Sequence, residues 1–109
     1  MPKSSAVTIY DDRGFSTVAR ATTPIAASAG TTIVKAGAGH LSRVVVTTAG
    51  TSTDNITLYD NASAGSGTVL GVIPGGGTVG AIINFDLPFL NGLTAVNVAS
   101  GPAVTIGYC

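Results

Sequence analysis

Tryptophan and glutamate are absent from this chain of 109 residues, and cysteine, histidine and methionine occur once each. Each scarcity removes a class of chemistry. The single cysteine, Cys109, cannot form an intramolecular disulfide, and metal sites draw on several ligands. Nucleophilic catalysis needs a base within reach of the nucleophile. His40 is the only histidine, and no Gly-x-Ser-x-Gly elbow accompanies it. It reads as a hydrogen-bonded or exposed histidine at the entry of a strand. Asp11 and Asp12 are adjacent, so on an extended chain their carboxylates point to opposite faces and cannot share a general acid-base task. Asp54, Asp60 and Asp86 are oxygen donors whose spacing matches no calcium loop. Gly75-Gly76-Gly77 and Gly37-Ala38-Gly39 have neither the strand-to-helix setting nor the lysine of a phosphate loop. The triplets Asn55-Ile56-Thr57 and Asn61-Ala62-Ser63 fit the glycosylation pattern, but no signal segment is expected, and they read as chance matches. No catalytic, cofactor-binding or metal-binding residue emerges, and the expectation is a protein that is not an enzyme and uses no cofactor.

Charge is also scarce. Lys, Arg, Asp and Glu make up 9% of the chain, against about 25% in an ordinary soluble domain. Low charge and a formal net charge of zero make association easier, so much of the surface is expected to be covered by other subunits. The five basic residues (Lys3, Arg13, Arg20, Lys35, Arg43) lie with Asp11 and Asp12 in the first 43 positions, giving +3 there; Asp54, Asp60 and Asp86 give −3 to the rest. This asymmetry suggests head-to-tail complementarity. It is too dilute for nucleic acid, which calls for clustered Lys and Arg on one face. Long hydrophobic runs are missing as well, so neither a transmembrane span of about 20 apolar residues nor a signal segment is expected. No membrane partner follows, and the chain is expected to be made in the cytoplasm.

What the sequence does hold is β-structure. Fifteen glycines, five prolines and many Val, Ile and Thr argue against helix. Strands are predicted over Ala6–Tyr10, Thr31–Lys35, Leu41–Thr48, Asn55–Tyr59, Thr68–Ile73, Val79–Leu87, Leu93–Val98 and Ala103–Tyr108. Turn signals separate them, among them Ala36-Gly37-Ala38-Gly39, Pro74-Gly75-Gly76-Gly77 and Asn91-Gly92. About eight short antiparallel strands at this spacing indicate an all-β fold, a β-sandwich or jelly roll. Alternation places Ile56 with Leu58, Ile83 with Phe85 and Leu87, Val96 with Val98, and Val104 with Ile106 and Tyr108 on inner faces. Val44-Val45-Val46 offers apolar groups to both faces, as in a central strand or one facing another subunit. With no Trp, the core must come mainly from Val, Ile and Leu. Residues 1–30 have small side chains and no clear period; they read as an extended N-terminal arm or as an edge strand and loop, preceding a sandwich domain over 31–109. As an arm they would pair with a neighbouring sheet edge, with Tyr10, Arg13, Phe15 and Arg20 as partner-binding anchors, since aromatic and Arg side chains dominate interface energetics.

The segments Ile33–Leu41, Val44–Gly50 and Ile56–Asn61, the strand Thr68–Ile73 and the run Phe89-Leu90-Asn91-Gly92-Leu93 together resemble small β-sandwich decoration or cement proteins of tailed-bacteriophage capsids. The resemblance spans roughly residues 31–108. It implies a virion structural protein on the capsid exterior, assembled in the host cytoplasm. It further implies a homo-oligomer, commonly a homotrimer, bound to the major capsid protein or other virion subunits, and supplies no catalytic residues. The alternatives are a neck or tail structural subunit and a carbohydrate- or receptor-binding module, the last disfavoured by the absence of Trp.

Overall fold

A computed structural model describes residues 14, 19–51, 54–98 and 100–109, none of them helical. Eight strands form: β1 (Ala21–Ile25), β2 (Thr31–Ala36), β3 (Gly39–Thr48), β4 (Ile56–Asp60), β5 (Thr68–Ile73), β6 (Ile82–Phe89), β7 (Gly92–Val96) and β8 (Ala103–Tyr108). They make two antiparallel four-stranded sheets, ordered β1-β8-β3-β6 and β2-β7-β4-β5. The first strand pairs with the last, the second with the seventh, the third with the sixth and the fourth with the fifth. A long antiparallel ribbon rolled into two sheets gives this order, and it is the jelly-roll form of the sandwich. Only β4 and β5 are consecutive neighbours within one sheet; every other connection crosses between sheets.

Seven strands fall within a few residues of their predicted positions, whereas β1 lies where the sequence shows no period. Ala21–Ile25 is an edge strand carrying Pro24. An edge position tolerates proline because one side of the strand needs no ladder donor. The strand expected at Ala6–Tyr10 lies outside the described residues.

The inner faces follow the two-residue period. Across the first sheet one inner row reads Thr23, Ile106, Val44, Ile83; across the second, Thr32, Ala95, Leu58, Gly71. Ile25, Leu41, Val44, Val46, Ile56, Leu58, Ile73, Leu93, Ala95, Val104 and Ile106 are buried, with Phe89 as the one fully buried aromatic among the described residues. The expected inward pairing of Val96 with Val98 is not found. Leu93 and Ala95 are the buried apolar residues of β7, while Val96 pairs with Thr57 and Thr31 on the outer face and Val98 is exposed beyond the strand. The well-buried Thr94 hides this parity in the sequence. It lies on the outer face yet is covered by the β4–β5 loop, and its hydroxyl donates to the Asn61 carbonyl at 2.7 Å.

Side-chain hydrogen bonds fasten both ends of the sandwich. At one end the Asp60 carboxylate accepts from three consecutive amides, Leu90 (2.9 Å), Asn91 (2.8 Å) and Gly92 (3.3 Å), holding the turn that carries β6 into the opposite sheet. At the other, the Asn97 Nδ2 group donates to the carbonyls of Ala26 and Pro102, both at 2.9 Å, tying the β1–β2 and β7–β8 connections together. Replacing Asp60 with Ala leaves three turn amides without their carboxylate, so a loss of about 1–3 kcal/mol is expected, measured by chemical denaturation. Asp60→Asn, which keeps one carbonyl acceptor, should fall between the variant and the parent.

Candidate protein-binding surface

β5 and β6 are edge strands of different sheets and lie on the same flank of the sandwich, in contact with each other. The Phe85 ring of β6 lies against Gly71 of β5, where any Cβ would collide with it, so the two sheets close tightly here. No Lys, Arg, Asp, Glu or His occurs between Asp60 and Asp86. That interval contains the whole of β5, the β5–β6 connection and the first half of β6.

The apolar residues on this flank that miss the core face outward. Outer rows of the second sheet read Thr31, Val96, Thr57, Val72 and Ile33, Thr94, Tyr59, Val69; an outer row of the first reads Pro24, Thr105, Val45, Ile82. Val69, Val72, Val79 and Ile82 are between 47% and 58% exposed. No ionisable group other than the Tyr59 phenol stands in these rows. Val69 and Val72 point out from the second sheet and Ile82 from the first, so they border the β5–β6 edge from opposite sides. Single exposed aliphatics are ordinary, but an edge without charge shares the charge depletion of interface centres.

The chemistry-bearing residues are placed as follows. Tyr10, Arg13 and Phe15 lie outside the described residues. Arg20 is exposed, and its amide donates to the Tyr108 carbonyl at 2.9 Å, extending the β1 ladder by one bond. His40 and Cys109, which lack companions in sequence, are brought together across β3 and the end of β8: His40 N donates to Cys109 O at 3.2 Å and Cys109 N to His40 O at 2.8 Å. The buried His40 ring is also in hydrogen-bond contact, through Nε2, with the exposed Asp86 carboxylate at 2.7 Å. Asp86 sits where β6 has an extra residue relative to β3, with φ of 50°. Asp tolerates this left-handed conformation better than most residues. Of the three aspartates with candidate metal oxygens, Asp60 holds a turn and Asp86 holds His40; no group of three metal-ligating side chains gathers among the described residues. Nothing in the sequence linked Asp86 to His40, because the pairing depends on a bulge that alternation does not reveal.

No protein-family model matches the chain, and no characterised protein or solved structure is significantly similar to it.

The bulge separates two effects at one position. Asp86→Ala removes the acceptor facing a buried ring and puts a Cβ-bearing residue without polar compensation at positive φ, at a cost of about 1–3 kcal/mol. Asp86→Gly loses the same contact but adopts the conformation freely, and should recover about 1 kcal/mol of that loss. Thermal or urea unfolding of the two variants measures the difference; equal stabilities would mean that the backbone conformation contributes nothing.

Proposed function

We propose that this chain is a structural subunit that works by binding protein surfaces, as a virion decoration or cement protein that attaches to and stabilises a bacteriophage capsid. The observation that carries the reading is the uncharged β5–β6 flank with its outward Val69, Val72, Val79 and Ile82. At roughly 25 cal/mol per Å² of apolar surface removed from water, covering such a flank favours association, and no charge has to be desolvated there. A jelly roll is a common architecture of capsid and lectin domains, so the fold is compatible with the reading without deciding it. Self-association into trimers suits the threefold positions of an icosahedral shell, and the major capsid protein or another virion subunit is the second partner. Tyr10, Arg13, Phe15 and Arg20 remain the proposed anchors of an N-terminal contact with that partner.

Light scattering on the purified chain, at micromolar concentration, is expected to give a mass near three times the 10.7 kDa of one copy. Val72→Asp and Ile82→Asp should leave unfolding stability within about 0.5 kcal/mol, as surface substitutions do, while reducing that mass and the co-sedimentation with capsids. A parent chain that is monomeric and does not sediment with capsids would overturn the proposal.

A further inference from the structure

The outer face of the first sheet has a depression built by one missing side chain. The row across its four strands reads Thr22, Gly107, Arg43, Asn84. Gly107 occupies a central strand, where glycine weakens the sheet and often marks a place that something approaches closely. Its lack of a Cβ opens a cavity of about 330 Å³ lined by Ala19, Thr22, Arg43, Val45, Thr105 and Gly107. A Cβ there would stand 3.1 Å from the Ala19 Cβ and 3.7 Å from the Arg43 Cγ, filling the floor. Arg43 is the only ionisable residue in the lining. Its guanidinium has no ion-pair or hydrogen-bond partner among the described residues, and neither do the hydroxyls of Thr22 and Thr105. Three polar groups without a protein partner among the described residues, Arg43 and Thr22 exposed to water and Thr105 half-buried, therefore surround a small apolar floor, next to Ile82, which pairs with Val45 on the same face.

We infer that this depression receives a carboxylate side chain, Asp or Glu, from a partner protein. The planar guanidinium matches a carboxylate with two parallel hydrogen bonds, the two threonine hydroxyls can donate to the remaining lone pairs, and the short aliphatic stem lies on Val45 and Ala19. The protein source follows from exposure. Arg43 is exposed, and an open ion pair gains little in water. Only a carboxylate carried on a surface that also covers Val45, Pro24 and Ile82 excludes water from the pair. The inference rests on the protein-binding reading above and names the chemistry of the partner's contact.

The test uses the ¹⁵N-labelled full chain with the blocked peptides acetyl-Leu-Glu-Leu-amide and acetyl-Leu-Gln-Leu-amide, whose leucines can cover Val45 and Ile82, and with sodium acetate. The Glu peptide should shift the Arg43 Nε–H and Gly107 amide resonances, the Gln peptide should not, and acetate should do so several-fold more weakly. Arg43→Gln, and independently Gly107→Val, should abolish the shifts, and Arg43→Gln should weaken capsid co-sedimentation about tenfold, the equivalent of one lost anchoring contact. Equal responses to the Glu and Gln peptides, or none at Arg43, would overturn the site. Acetate binding as tightly as the Glu peptide would overturn the protein source. Glu-peptide shifts at Arg43 in a chain that neither self-associates nor binds capsids would uphold the site and overturn the capsid reading instead.

Discussion

Among the described residues Phe89 is the only fully buried aromatic, so the space between the two sheets is filled mainly by aliphatic side chains. Each buried Val, Leu or Ile contributes about 1.5–3 kcal/mol of transfer free energy, less than a large aromatic would supply over the same span of chain. Close approach offsets part of that shortfall: Phe85 packs on the bare backbone of Gly71. The sheets then stand near enough for β6 to pass into β7 through Leu90 and Asn91 alone. So short a crossing presents three consecutive amides to the Asp60 carboxylate, which accepts from all of them. Asn97 does the corresponding work at the opposite end.

The same architecture limits how another protein can attach. Each of the four edge strands carries an interruption: Pro24 in β1, an irregular register at Val34 in β2 and at Leu70 in β5, and both Pro88 and the Asp86 bulge in β6. Prolines and bulges of this kind blunt an edge against addition of a further strand. Contact through side chains on the sheet faces and the β5–β6 flank remains open; the flank is uncharged, and Arg43 stands on the outer face of the first sheet.

Much of this fold is legible in the sequence because strand parity is strong wherever Val, Ile and Leu alternate with Thr and Gly. Ile56 and Leu58, or Val104 and Ile106, declare their inner face without help, and the turn glycines bound the strands. Two kinds of feature are not legible. β1, Ala-Thr-Thr-Pro-Ile, has a single buried residue, Ile25, so it carries no period, and it is a strand only because β8 offers it an edge. Val96 misleads for a different reason: a loop folds over the outer face, so that residues on both faces of β7 are shielded and burial ceases to follow parity. The surface was half legible. Val45 in the Val44-Val45-Val46 run faces outward as a two-sided strand requires. The depression at Gly107 needed the register of three strands to bring Thr22, Gly107 and Arg43 into one row.

The two surfaces make different demands on their partners. An aliphatic, uncharged flank can meet its own copy without bringing like charges together. A face centred on Arg43 cannot do so, because two copies related by a twofold axis through that point would place guanidinium against guanidinium. On the reading proposed above, Arg43 is the contact for a different, acidic surface. On this chain there is no glutamate, and of its five aspartates Asp60 and Asp86 already serve the β6–β7 turn and His40, leaving Asp11, Asp12 and Asp54. A subunit whose flank suits its own kind and whose sheet face suits another protein can form a small ring and seat it on a larger assembly. The division of labour follows from where the charges are missing as much as from where they are.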